Sequence, residues 1–284
     1  MAAQVVCVLG VPHDPTLPAA LATASEAPPF VQEAAGLLEH QRETLAEAKP
    51  DAIVIAAGDH LDQWFLSNMP AFLIGKAPRS TGPFADEKSV FGLEGYDVPN
   101  DGALARRLLI GGYERSVDFS YSDEYTIDHA FTVPLTLVRP ERDLPVVPVF
   151  TNILAPPIPT AQRFFDVGAA IRDTIDSWEE DRRVAVIVTG HMTNNMGGPR
   201  MLDLFENPNP EWDRRMWKLI ENWDLEAVIA ESTFEKLNVA GHATPAFCDL
   251  ILGFGMAGNP PGQARMVPTP FGAFVFFEWK ESDL

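Results

Sequence analysis

The sequence places histidines just beyond the ends of three apolar, β-branched segments. These histidines are His13, His60 and His191, and they follow the segments Val5–Val11, Ala52–Ala57 and Val184–Thr189. Ligands of α/β proteins bind in the crevice beyond the carboxyl ends of the strands, and imidazole nitrogens that converge there can hold a transition metal. A single histidine at a strand end is more often a hydrogen-bonded loop residue than a metal ligand. Because three occupy equivalent positions, we predict a metal or catalytic site.

Carboxylates flank two of these histidines. Asp14 follows His13, and Asp59 and Asp62 lie beside His60. Such carboxylates can orient a metal-binding imidazole through its second nitrogen. They can also cap a helix or close a turn, and the sequence leaves both interpretations open.

Two further histidines are candidates. His129 precedes a predicted short helix and is expected either to contact substrate and move protons or to cap that helix. His242 precedes the last long helix and is either a metal ligand or an exposed loop residue. We find no GxSxG nucleophile motif and no phosphate-loop motif, so the sequence indicates neither a serine hydrolase nor a P-loop nucleotide enzyme.

The elements that would position these residues alternate between strands and helices. Two further strands are predicted at Val146–Phe150 and Ala273–Trp279. Helices are predicted at Phe30–Ala48, Gly102–Ile110, Ala161–Trp178, Glu211–Trp223 and Ala246–Phe254, with start signals at Asn209-Pro210 and Thr244-Pro245. This alternation predicts a single α/β domain over residues 1–284, with a mostly parallel or mixed central sheet and helices on both faces.

Composition narrows the class of partner. Forty acidic and 21 basic residues give a net charge of −19, which disfavours nucleic acid and anionic membrane surfaces as partners. No run of about 18 apolar residues is present, so no transmembrane helix is expected. The N-terminal residues lack the features of a signal peptide. Cys7 and Cys248 have no metal-site spacing and are expected to be buried free thiols, which suggests a reducing cytoplasm.

Several segments resemble the class III extradiol dioxygenases, in particular the catalytic subunit of protocatechuate 4,5-dioxygenase. The resemblance runs from Val8 to about Trp279. It is carried by Gly58-Asp59-His60-Leu61-Asp62, by Asp128-His129 with Val133-Pro134-Leu135, by Thr189-Gly190-His191-Met192-Thr193-Asn194 and by Asn209-Pro210-Glu211-Trp212-Asp213.

The resemblance implies a non-haem Fe(II) site, with zinc or manganese as alternatives. His13 and His60 match two metal-binding histidines, and His129 matches a histidine on the substrate side. The chain departs from the family where Asn194 replaces a proton-transfer histidine and Ala246 replaces a glutamate ligand. An amide cannot accept a proton at neutral pH. Without the glutamate, the metal lacks its third protein ligand, and we hypothesise that His191 or His242 supplies it. We group His129, His191 and Asn194 as the candidate catalytic residues.

The resemblance favours ring-opening dioxygenation of a small phenolic or catecholic substrate with O₂. One alternative is a metal-dependent hydrolase or C–C lyase on the same fold, because losing an anionic ligand leaves the metal more Lewis-acidic. Another is a non-catalytic paralogue that partners an active subunit. A homo-oligomer or a complex with a separate small subunit is expected.

Overall fold

The computed structural model describes residues 2–196, 198 and 208–284. The strands are β1 (Gln4–Val11), β2 (Ala52–Gly58), β3 (Phe72–Gly75), β4 (Arg79–Gly82), β5 (Tyr96–Pro99), β6 (Ser120–Ser122), β7 (Val146–Thr151), β8 (Arg183–Thr189), β9 (Gln263–Thr269) and β10 (Gly272–Lys280). The helices are α1 (Leu17–Leu21), α2 (Pro29–Ala48), α3 (Ala85–Phe91), α4 (Gly102–Glu114), α5 (His129–Val138), α6 (Ala161–Asp176), α7 (Pro210–Glu221), α8 (Leu225–Glu231), α9 (Phe234–Ala240) and α10 (Phe247–Ala257). The five predicted strands and the five predicted long helices are therefore confirmed, with shifts of a few residues at their ends.

Eight of these strands form one mixed sheet, in the order β6-β3-β7-β2-β8-β1-β10-β9. The central strands β7, β2, β8 and β1 run parallel, whereas β10 pairs antiparallel with β1 and β3 pairs antiparallel with β7. Strands β4 and β5 form a separate two-stranded sheet with α3 between them. Parallel central strands are covered on both faces and read as continuous apolar runs, as β2 does with every residue buried. The predicted α/β architecture is confirmed.

Alternate side chains of the central strands enter two cores on opposite faces of the sheet. On one face Val54 packs with residues of α4, α6, α7 and α10. On the other face Ile53 and Ile55 pack with residues of α2 and α5. Because β1, β2, β7 and β8 are parallel, their carboxyl ends lie at one edge of the sheet, and the segments that follow them begin there.

Helices α6 and α10 approach each other closely through glycines. A Cβ atom on Gly168 would lie 2.0 Å from the Leu252 carbonyl oxygen, and one on Gly255 would lie 2.1 Å from the Phe165 carbonyl oxygen. Real Cβ atoms do not approach backbone oxygens this closely, so the packing of the two helices requires glycine at both positions.

Two smaller expectations are also settled. Cys7 and Cys248 are buried free cysteines, as predicted, and burial raises the pKa of the Cys7 thiol to about 12. Among the described helices, none is both long and apolar enough to span a bilayer.

Candidate metal centre

Three histidines from separate segments meet beyond the carboxyl edge of the sheet. His13 follows β1, His60 follows β2, and His129 is the first residue of α5. Each offers a ring nitrogen, and these three nitrogens lie within 4.8 Å of one another. The ring centroids of His60 and His129 are stacked at 4.4 Å, and that of His13 lies 5.5 Å from His60 and 5.9 Å from His129. In the part of the chain that the structure describes, this is the one group of three such side chains near a common point.

His13 is the most deeply buried of the three, with 6% of its surface exposed. Its Nδ1 atom has no hydrogen-bond partner among the described residues. Burial lowers the pKa of His13 well below its ordinary value, and the neighbouring histidines lower it further. His13 is therefore a neutral imidazole at physiological pH, and its unpartnered buried nitrogen fits a metal ligand.

His60 is held by the carboxylate of Asp128. The Oδ2 atom of Asp128 accepts hydrogen bonds from the His60 backbone nitrogen at 3.2 Å and from Nδ1 at 2.9 Å, while Oδ1 caps α5 by accepting from the Ala130 nitrogen. Burial opposes protonation of His60, but the adjacent Asp128 outweighs it and raises the pKa of the imidazole. With Nδ1 donating to Asp128, Nε2 is the nitrogen left for a metal.

Two of the carboxylates beside the histidines in sequence, Asp59 and Asp14, have local roles instead. Asp59 accepts hydrogen bonds from the backbone nitrogens of Leu61 and Trp64 and so closes the loop after β2. Burial raises the pKa of Asp59 to about 6, and the nearby Asp128 contributes. Asp14 accepts from the backbone and hydroxyl of Thr16 at the start of α1. Of the two interpretations that the sequence left open, the turn or cap applies to both.

His129 contacts a residue that the sequence analysis missed, Glu87 of α3. The Oε1 atom of Glu87 lies 2.5 Å from Nδ1 of His129 and accepts from its backbone nitrogen at 2.9 Å. The Oε2 atom accepts from the backbone nitrogen of Phe84, which precedes α3. The sequence carried no capping-box signal for Glu87, because that pattern needs a serine or threonine where Phe84 stands. Nothing in the sequence indicated that this helix approaches His129.

His191 also lies beside the group, with its ring centroid 5.6 Å from that of His13. Its Nδ1 atom is 2.8 Å from the Met192 carbonyl oxygen and donates to it. Burial lowers the pKa of His191 to about 4. The ring is therefore neutral, and its Nε2 atom is unprotonated.

Asn194 is a turn residue in the structure. Its side-chain Oδ1 accepts from the Met196 nitrogen, and its backbone bonds to Ala243 and Thr244 of the segment before α10. Thr193, the preceding residue, is bound through both its nitrogen and its hydroxyl by Asp213 of α7. These contacts fix the chain just after His191.

His242 does not join the other histidines. It is exposed in the turn between α9 and the 3₁₀ segment Thr244–Ala246, and it belongs to no described group of potential ligands. The sequence pattern could not separate it from His191, because both are histidines in loops near glycine. Ala246 is buried and presents only a methyl group where the resemblance expected a glutamate. Thr244-Pro245 begins the 3₁₀ segment rather than α10, which starts at Phe247.

The imidazole nitrogens gathered at the site fit a divalent transition metal. The imidazoles of His13, His60 and His129 come from three segments, and two of them are oriented by buried carboxylates. Imidazole nitrogens suit iron, zinc and other first-row metals, whereas oxygen-binding cations prefer carboxylates.

Comparison with known proteins agrees with this geometry. A 2,3-dihydroxyphenylpropionate/2,3-dihydroxicinnamic acid 1,2-dioxygenase of Photorhabdus laumondii is 29% identical over 160 residues, which cover 56% of this chain and 48% of that enzyme. An enzyme of the same name from a Rhodococcus species is 27% identical over 248 residues, covering 72% of this chain and 76% of the relative. A crystal structure of an uncharacterized protein from Escherichia coli K12 has the same fold, with a TM-score of 0.58 and 14% identity over 96% of this chain and 99% of that one.

The family model described as the catalytic LigB subunit of aromatic ring-opening dioxygenase matches residues 7–271. This range contains His13 and His60, the Asp128-His129 pair and the turn at His191. The chain belongs to the LigB family of catalytic subunits of aromatic ring-opening dioxygenases.

Proposed function

We propose that this protein opens the ring of a small catecholic substrate by extradiol cleavage with O₂, using Fe(II) held by His13 and His60. The observation that carries the proposal is the meeting of three histidine nitrogens within 4.8 Å at the sheet edge of a LigB-family chain. The relatives' names supply the substrate class, since they cite dihydroxylated aromatic acids. Their alignments leave part of each relative unmatched, so the individual substrate is part of the proposal.

A metal held by His13 and His60 would supply a Lewis-acidic centre for the catechol and for the activation of O₂. The protein's own contribution is to orient the donors. Asp128 directs Nε2 of His60 toward the centre, and the buried pocket keeps His13 neutral. His129, stacked on His60, is placed to contact a substrate hydroxyl beside the metal.

The proton-transfer position of the family is changed in this chain. The Asn194 side chain binds the Met196 backbone nitrogen and has no basic group. His191 is the neighbouring group with an unprotonated nitrogen, and its ring lies next to His13. The glutamate ligand of the family is also replaced, by Ala246, so the third ligand has to come from another residue. His191 is our candidate for this third metal ligand, and the exposed His242 is not.

Metal content of single alanine variants tests these assignments. We expect His13→Ala and His60→Ala to lose the metal and His191→Ala to bind it more weakly. His129→Ala should keep the metal and lose turnover, and His242→Ala should match wild type in both. If His129→Ala loses the metal and His191→Ala keeps it, then His129 is the third ligand and our roles for the two residues are exchanged.

Turnover is tested on protein loaded anaerobically with Fe(II). We would supply 2,3-dihydroxyphenylpropionate and other catechols, then follow oxygen uptake and the absorbance of the ring-opened product. The His13→Ala/His60→Ala double variant is the control. Substrate-dependent oxygen uptake with one product per O₂ supports the proposal. Turnover without oxygen would replace it with a lyase or hydrolase, and absence of metal binding would indicate a non-catalytic paralogue.

The expected partners are the aromatic substrate and O₂, and the expected location is the cytoplasm. Assembly as a homo-oligomer or with a small separate subunit stays a prediction. Light scattering of the purified chain measures its assembly directly.

A further inference from the structure

The helix α3 and its flanking strands β4 and β5 lie outside the main sheet, yet they reach the metal centre through one buried acid. Glu87 is 6% exposed, and the His129 side chain that it contacts is 14% exposed. Phe91 from the same helix lies beside His129, with ring centroids 6.0 Å apart. Helix α3 therefore forms part of the wall of the site, although neither of the strands that flank it pairs with the main sheet.

We propose that Glu87 is a positioning residue that fixes the tautomer of His129, with the proton on Nδ1 and the lone pair on Nε2. This inference rests on the proposed function, in which His129 acts at the metal centre. A neutral imidazole has one donor and one acceptor nitrogen, and the partner of one nitrogen decides the state of the other.

The contacts select one tautomer. Glu87 Oε1 lies 2.5 Å from Nδ1 of His129, and a carboxylate only accepts hydrogen bonds, so Nδ1 must donate. The same oxygen accepts from the His129 backbone nitrogen, which fixes the ring relative to its own main chain. The lone pair then resides on Nε2, the only nitrogen available to accept a proton from a substrate hydroxyl or to bind a metal.

A purely structural role is the competing explanation. Glu87 Oε2 accepts from the Phe84 backbone nitrogen at 2.9 Å and thereby caps α3. If capping were its whole function, removing Glu87 would lower stability without changing the His129 ring. The two roles use different oxygens of one carboxylate, so they can be separated by experiment.

The first experiment is ¹⁵N NMR of histidine-labelled, zinc-substituted protein, in which protonated and bare ring nitrogens have well separated resonances. The His129→Ala spectrum assigns the His129 signals. We would compare wild type with Glu87→Leu, which has no acceptor, and with Glu87→Gln, which keeps one. Asp86→Asn is the matched control, because Asp86 is an exposed acid in the same first turn of α3.

We expect the Nδ1-protonated form of His129 in wild type, Glu87→Gln and Asp86→Asn, and its loss in Glu87→Leu. In the Fe(II) enzyme, Glu87→Leu should lower kcat by about 10- to 100-fold, the range measured for residues that orient ligands in metal sites, with a smaller change in KM. Glu87→Gln should recover most of that loss. An Nδ1-protonated His129 in Glu87→Leu, or a lower unfolding temperature with unchanged kcat, would overturn the proposal. Absence of turnover in wild type would contradict the proposed function, while the NMR result would still decide the role of Glu87.

Discussion

Asp249 is a fully buried acid on α10 whose ionisation should make stability depend on pH. Its side chain is 0% exposed, and Oδ1 accepts a hydrogen bond of 2.6 Å from the Thr151 hydroxyl at the end of β7. Burial raises the pKa of Asp249 from 3.8 to about 7, even though the bond from Thr151 opposes the shift. The folded protein therefore binds a proton at pH 5 that the unfolded chain has largely released.

The sign and size of the effect follow from this difference. Where the folded state holds more protons than the unfolded state, the free energy of unfolding falls as pH rises. The fall begins above the unfolded pKa of 3.8 and ends near the folded value of about 7. Each pH unit between those limits is worth about 1.4 kcal/mol, so wild type should lose about 3 kcal/mol from this group between pH 5 and pH 8.

The assay is urea unfolding of metal-free protein across that pH range, with Asp249→Asn as the neutral reference of equal size. Chelator is needed because metal binding itself depends on pH. The free energy of wild type minus that of Asp249→Asn should decline with pH. Thr151→Val removes the hydrogen bond that favours ionisation and should extend the decline to higher pH. Parallel pH profiles for wild type and Asp249→Asn would refute the reasoning.

Three further outcomes are expected. The His13→Ala/His60→Ala double variant should contain no metal by mass spectrometry, because it lacks both proposed ligands. Asp128→Ala should weaken metal binding by about 10- to 100-fold in a competitive chelator titration, because no acceptor would then hold the proton of His60 on Nδ1. Asp62→Asn, a nearby charge change, should have a much smaller effect. Gly168→Ala should lower the free energy of unfolding in urea by at least about 1–3 kcal/mol, since its Cβ would lie 2.0 Å from a carbonyl oxygen.

The main sheet was predictable because its central strands are long, apolar and buried on both faces. Strands such as Ala52–Gly58 leave a continuous β-branched signal, and the cap at Asn209 correctly marked the start of α7. The strands that were missed carry little such signal. Arg79–Gly82 alternates exposed and buried residues over four positions, and Ser120–Ser122 is a short, mostly exposed strand at the sheet edge.

The candidate site was predictable in its strand-end members but not in the residues that orient them. His13 and His60 follow strands whose parallel order brings their carboxyl ends together, so their sequence positions carry geometric information. The pairing of Asp128 with His60 spans 68 residues, and that of Glu87 with His129 spans 42. Such contacts depend on how α3 and α5 pack in three dimensions, which local sequence patterns do not encode.

The glycine contact between α6 and α10 has a consequence for how this site can change during evolution. The separation of the two helices is set by main-chain atoms at Gly168 and Gly255, far along α10 from its first turn. The residues just before α10, including Ala246, face the His191 turn, where the Ala246 carbonyl lies 2.8 Å from the Cβ position of Gly190. The close contact between the helices therefore lies away from Ala246, a buried residue just before the first turn of α10. The segment that faces the His191 turn and the contact that holds the two helices together are thus different parts of the chain, so substitutions near the site need not touch the glycine contact.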